Sequence, residues 1–283
     1  MRKQTLFFSF AVMTITGLAA CNNNTRSSGA ATTDTVTTGA EMKLKEETVT
    51  YKDDTTTLAG YVAYDENSDA KRPGVLVVPE WWGVTDYVKG RARQLAKLGY
   101  IALVVDMYGH GETAGNPGKA KELAGAFYRD PALLKSRMDA ALAQLKTYSQ
   151  TDTSRLAAIG YCFGGAVVLN AAKLGEPLKG VVSFHGTLAG GAPANKDLLK
   201  AKILVCHGAD DPFVSAADVA AFKKGLDSIG ADYTFKAYPG ALHAFTNPEA
   251  TALGKKFNMP IAYNAAADTA SWNDMKTFFG RIF

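Results

Sequence analysis

Five short runs of this 283-residue chain leave no side that could face water: Gly74–Val78, Ile101–Val105, Leu156–Ile159, Val181–Phe184 and Ile203–Cys206. A strand that is apolar on both faces must be covered on both faces. That is the condition of a parallel sheet flanked by helices. Tyr233–Tyr238 reads as one further strand. Helical patterns alternate with these runs. They cover Asp86–Leu98 (ended by Gly99), Pro131 to about Tyr148 (opened by Asp130), Gly164–Leu174, Ser215–Ile229 (ended by Gly230) and about Ala265–Ile282. A proline in the first turn and a glycine just past the end are ordinary helix boundaries. Strand–helix alternation predicts an α/β, mostly parallel, doubly wound sheet. Ahead of it, Glu47–Tyr51 and Leu58–Tyr64 alternate in polarity around Lys52-Asp53-Asp54, which predicts an antiparallel hairpin at the sheet edge.

The N-terminus has a different character. Arg2 and Lys3 precede an apolar run from Leu6 to about Ala20, and Leu18-Ala19-Ala20-Cys21 follows the pattern of a bacterial lipobox. A membrane-spanning helix needs about 20 apolar residues, so the run suits a cleaved signal better. Residues 1–20 are therefore expected to be a lipoprotein signal peptide, with Cys21 lipidated. Residues 21–43, rich in Asn, Thr, Ser, Gly and Ala, are expected to be a flexible tether, and residues 44–283 the folded domain. The protein is then exported and anchored through lipid to a bacterial membrane. Removing residues 1–20 takes away Arg2 and Lys3 and no acid, which lowers the formal net charge from +4 to +2. Neither a basic block nor aromatic–basic interleaving points to nucleic acid. The histidines are scattered without a zinc spacing, and no metal or other cofactor is expected. Beyond Cys21 only Cys162 and Cys206 remain, too few for a disulfide framework. Cys206 reads as a small apolar strand residue.

In a sheet of this kind the site forms at the carboxyl ends of the strands. Gly160-Tyr161-Cys162-Phe163-Gly164-Gly165 stands between an apolar strand and a small-residue helix. This is the context of a nucleophile elbow, where the flanking glycines let strand and helix approach. A cysteine at the start of a helix is also placed to favour the thiolate. The other reading of Cys162 is a buried structural thiol. Asp210-Asp211-Pro212 follows the 203–206 strand and Pro239-Gly240-Ala241-Leu242-His243 follows the last strand. Nucleophile, acid, histidine is the chain order of an α/β-hydrolase triad. Asp211 is favoured over Asp210 because Gly208 and Pro212 frame a turn around it. His243 is favoured over His110, His185 and His207 because it alone lies on a glycine-containing loop after the last strand. Backbone N–H groups of Phe163 and Trp81 are expected to form the oxyanion hole, each donor contributing about 3 kcal/mol in the transition state.

The elbow, together with Asp211-Pro212-Phe213-Val214 and His243-Ala244-Phe245, resembles the dienelactone hydrolase family. Pro79-Glu80-Trp81-Trp82-Gly83 and Asp106-Met107-Tyr108-Gly109 resemble its other marker segments, so the likeness covers about residues 45–283. It implies an α/β-hydrolase fold and a Cys162–His243–Asp211 triad. It further implies that Glu80 contacts the resting thiol and helps deprotonate it when substrate binds. Family members bind a substrate carboxylate with arginines at positions that here correspond to His110 and Asn247. Neither residue offers a charged bidentate fork, and Arg129 or His110 is the side chain that could compensate. Trp82, Tyr108, His110, His185, Phe245 and Asn247 are the candidate pocket residues. The expected activity is hydrolysis of a small ester or lactone through a thioester acyl-enzyme. The alternatives are a binding lipoprotein that keeps the fold without turnover, and an acyltransferase.

Overall fold

A computed structural model describes residues 42–67 and 69–283. The signal peptide, Cys21 and nearly all of the tether lie outside the described residues. Elements run in the order β1 (Leu44–Asp53), β2 (Thr56–Asp65), β3 (Arg72–Val78), α1 (Asp86–Lys97), β4 (Ile101–Val104), α2 (Pro117–Arg129), α3 (Pro131–Lys146) and β5 (Thr151–Tyr161). They continue with α4 (Phe163–Lys173), β6 (Gly180–Phe184), β7 (Lys202–Gly208), α5 (Ala216–Asp227), β8 (Tyr233–Tyr238), α6 (Ala250–Phe257) and α7 (Ala265–Ile282).

One eight-stranded sheet has the order β1-β2-β4-β3-β5-β6-β7-β8. β1, β2 and β4 pair antiparallel, and every pair from β4 onward is parallel. The hairpin thus forms the sheet edge, as its alternation predicts. Its turn is one residue later than the sequence suggests. Lys52 and Asp53 stay in β1, and the chain reverses at Asp54-Thr55 with Asp54 at φ 50°.

The two-faced strands behave as their composition requires. Leu76 and Val78 of β3 enter the core under α3, α4 and α5, whereas Val75 and Val77 enter the core under α1 and α7. β5 divides in the same way, with Leu156 and Ala158 on one side and Ala157, Ile159 and Tyr161 on the other. At about 25 cal/mol per Å² of apolar surface, this double burial holds the strands in a single register. The parallel order lines up the carboxyl ends of β3, β5, β6, β7 and β8.

The apolar pattern does not reveal two helices. α2 buries only Ala120, Ala124 and Phe127 and carries Gly118 and Gly125, so it has no clear stripe. Its start signal is nevertheless in the sequence. The Asn116 side chain accepts from Lys119 N, and Pro117 opens the helix. α6 is eight residues long and ends at left-handed Asn258.

Candidate active site

Cys162 occupies the single residue between β5 and α4, at φ 54° and ψ −114°. A non-glycine residue held there is strained, and its surroundings must impose the conformation. Two glycines make this possible. A Cβ on Gly160 would lie 2.0 Å from Gly164 O, and one on Gly164 would lie 2.2 Å from Val78 O. The second contact also presses the start of α4 against the segment after β3, which carries Glu80 and Trp81. Cys162 N donates to Phe184 O at 3.0 Å and to His185 Nδ1 at 3.1 Å.

The acid and the histidine arrive on loops after β7 and β8. Asp210 N donates to Ala241 O at 3.1 Å, tying one loop to the other. Asp211 is buried while Asp210 is exposed, which decides between them geometrically. His243 Nδ1 meets Asp211 Oδ2 at 2.8 Å, and His243 Nε2 meets Cys162 Sγ at 3.1 Å. The other Asp211 oxygen accepts from Phe213 N at 2.9 Å. Burial alone would lower the His243 pKa. The charge of the Cys162 sulfur and the Asp211 carboxylate outweigh it and raise the pKa to about 10. The arrangement therefore favours the charged imidazolium beside the Cys162 sulfur.

Glu80 is buried at the edge of the same cavity, and burial raises its pKa to about 7 against the Asn247 hydrogen bond and the positive His243 and Arg91. Its resting partner differs from the one the resemblance implies. Asn247 Nδ2 donates to Glu80 Oε2 at 2.7 Å, while the thiol is engaged with His243. The backbone N–H groups of Trp81 and Phe163 have no acceptor among the described residues. Both therefore remain available as donors.

A cavity of about 980 Å³ opens over Cys162, with Glu80, Trp81, Trp82 and His243 in its wall. Trp82 is where the sequence suggests; five other pocket candidates are not in the wall. His110 is exposed, with its backbone held by Thr57 O, because β2 draws that turn away from the cavity. Tyr108 lies one layer out, donating to Trp81 O at 2.9 Å and stacking on Phe163. Phe245 is wholly buried against Tyr238, and His185 is wholly buried behind Cys162. Asn247 is buried and committed to Glu80. The wall is completed instead by α2, through Lys121, Tyr128 and Arg129, by Phe213, and by Met259 and Ile261 after α6. Most of these residues sit on or beside the two helices that the apolar pattern hides. Among the described residues, no three His, Cys, Asp or Glu side chains gather as a metal-holding group.

Residues 58–283 match the profile of the dienelactone hydrolase family. The chain belongs to that family. A Methylorubrum extorquens protein provisionally named a carboxymethylenebutenolidase is 33% identical over 61% of this chain and 63% of its own length. A Synechocystis protein of the same provisional name is 25% identical over 84% of this chain and 97% of its own length. Among solved structures, a dienelactone hydrolase-like promiscuous phosphotriesterase from metagenomic libraries is 35% identical, with a TM-score of 0.79 over 85% of this chain and 99% of that one. As a dienelactone hydrolase family member, the chain has the α/β-hydrolase fold and is an ester or lactone hydrolase by class.

Proposed function

We propose that this domain hydrolyses small esters or lactones with Cys162 as nucleophile. The observation that carries the proposal is the unbroken Asp211–His243–Cys162 relay, at 2.8 and 3.1 Å, opening onto the cavity. The thiolate attacks the carbonyl carbon, and the oxyanion takes hydrogen bonds from Phe163 N–H and Trp81 N–H. Collapse of the tetrahedral intermediate expels the alkoxide, which takes the proton from His243 Nε2, leaving a thioester on Cys162. The neutral imidazole then removes a proton from water, and the resulting hydroxide attacks the thioester. The carboxylic acid leaves and the imidazolium–thiolate pair returns. Asp211 keeps the Nδ1 proton in place throughout. Glu80, when ionised, adds negative charge beside the imidazolium.

Trp81, Trp82, Tyr128, Phe213 and Met259 make the cavity wall largely apolar, which suits an aromatic or branched acyl or alcohol group. With His110 outside the wall and Asn247 committed, no carboxylate fork exists at those two positions. The test is turnover of p-nitrophenyl acetate by wild type and Cys162→Ala, with iodoacetamide labelling of Cys162. Full activity in Cys162→Ala would falsify the mechanism. Aryl phosphotriesters belong in the same substrate screen, because the cavity has room for a three-armed ester and the 35% identical relative is a promiscuous phosphotriesterase.

The proposal extends to location. Residues 1–20 direct export, and lipid on Cys21 holds the domain at a bacterial membrane, as the lipobox pattern supports. Cys21→Ala should move the protein from the membrane to the soluble fraction and abolish labelling by a palmitate analogue.

A further inference from the structure

The 3.1 Å contact between Cys162 Sγ and His243 Nε2 joins two segments distant in sequence, the β5–α4 elbow and the loop after β8. One buried side chain touches both. His185 is wholly buried at the end of β6 and takes φ 42°, an unusual conformation for a non-glycine residue. Its Nδ1 faces Cys162 N at 3.1 Å, and its Nε2 faces Thr246 Oγ1 at 2.6 Å.

The backbone N–H can only donate, which fixes the tautomer. Nδ1 must carry the lone pair and Nε2 the proton, so Nε2–H donates to Thr246 Oγ1. A protonated ring would set an Nδ1–H against the Cys162 N–H, so only the neutral ring fits. Burial, with His243 and Arg91 nearby, pushes the His185 pKa well below the ordinary histidine value. Thr246 is itself braced. Tyr87 Oη lies 2.6 Å from Thr246 Oγ1, and Arg91 Nη2 donates to Thr246 O at 2.7 Å while pairing with Asp268. The ionisable groups around the His185 ring are Cys162 and Tyr161 from the elbow region, His243 from the loop, and Tyr87 and Arg91 from α1.

We infer that His185 is a positioning residue. Its neutral ring clamps the strained Cys162 backbone to Thr246 on the histidine loop and so sets the distance between thiol and imidazole. The inference rests on the proposed role of Cys162. It goes further by giving a function to a buried histidine that touches no substrate.

The test compares His185→Leu, which removes both ring nitrogens, with His185→Gln, which retains one acceptor and one donor. Thr246→Val breaks the far end with almost no change of shape. Two readouts are needed: kcat and KM on a p-nitrophenyl ester, and the pH profile of Cys162 alkylation by iodoacetamide. His185→Leu is expected to lower kcat by about 10- to 100-fold, the effect of a small misplacement of reacting groups, with KM little changed. Its alkylation profile should move to higher pH, because a looser imidazolium holds the thiolate less well. Thr246→Val should shift the profile in the same direction, and His185→Gln should recover most of the loss. Wild-type kcat and profile in His185→Leu would overturn the inference. So would equal losses in the Leu and Gln variants with unshifted profiles, which would mean that the ring only fills space. Should His185→Leu fail to fold, Thr246→Val decides: a shifted profile upholds the clamp and a wild-type profile removes it. Alkylation requires no turnover. A wild-type protein that alkylates but hydrolyses no ester would therefore sink the proposed function while leaving the clamp measurable.

Discussion

Asn247 donates its side-chain amide to the buried carboxylate of Glu80 at 2.7 Å, across 167 residues of sequence. The bond favours the charged carboxylate and partly offsets the burial that raises its pKa to about 7. Asn247→Leu removes that offset, so the Glu80 pKa should climb further. Where ionised Glu80 assists the reaction, the acidic limb of kcat/KM against pH should move to higher pH, and Glu80→Gln should erase that limb. An unmoved limb in Asn247→Leu would show that Glu80 does not set it.

The same shift has a consequence for stability. A carboxyl whose pKa is higher in the folded state than in the unfolded state binds its proton more tightly when folded. Its contribution to stability is present at low pH and falls as pH rises from the ordinary glutamate range toward about 7. Glu80→Gln keeps an acceptor for Asn247 and removes the titration. Its melting temperature should exceed that of wild type at pH 8, and the gain should shrink at pH 4. An equal gain at both pH values would rule out this charge as the cause.

His243 carries a prediction tied to the catalytic cycle. Its pKa of about 10 depends strongly on the negative sulfur of Cys162. In the thioester that charge is gone, so the imidazole should lose its proton far more readily and act as a base at neutral pH. Deacylation, measured as decay of a pre-formed acyl-enzyme, should therefore titrate well below pH 10. Deacylation that requires pH near 10 would exclude His243 as the water-activating base.

The central parallel sheet is legible in sequence because strands covered on both faces need unbroken apolar runs. The relay is legible because Cys162, Asp211 and His243 each follow a strand in chain order. What remains hidden are contacts made through small or polar side chains. The stripe of α2 is two alanines and one phenylalanine, and α6 is too short to show a period. Tyr128 and Met259 therefore escape notice as cavity residues, whereas Arg129 stands out in the sequence only as a spare cation. His185 reads from the sequence as a pocket residue, but its place behind Cys162 stays hidden, because the partner it has there is a backbone N–H. Chemistry could thus be read from the chain more readily than the shape of the substrate.

The elbow glycines should tolerate no side chain. A Cβ on Gly164 would meet Val78 O at 2.2 Å and Pro79 O at 2.6 Å, both rigid backbone. Gly164→Ala must push α4 away from β3 and carry Phe163 N–H with it. The expected loss is about 1–3 kcal/mol of stability, as for overpacking a core, together with most of the activity. Denaturant melts and turnover check both. An active, stable Gly164→Ala protein would show that the elbow can open.

Apart from His243, Arg129 and Lys121 are the cations of the cavity wall among the described residues, and both lie on α2 rather than at the positions where the family resemblance implies arginines. Both side chains are exposed, so their attraction for an anion is screened by solvent and amounts to roughly 1 kcal/mol or less for each pair. Such a weak hold suits a neutral ester. Replacing Arg129 with Gln should leave KM for p-nitrophenyl acetate unchanged. For an ester carrying a free carboxylate, KM should rise by no more than about fivefold, an effect that fades with added salt. Tyr128→Ala removes an aromatic wall without touching charge, and it should raise KM for p-nitrophenyl benzoate more than for p-nitrophenyl acetate. If Arg129→Gln instead cost a carboxylate substrate a hundredfold or more, α2 would be the anion-binding element that replaces the missing fork, and the substrate would be acidic.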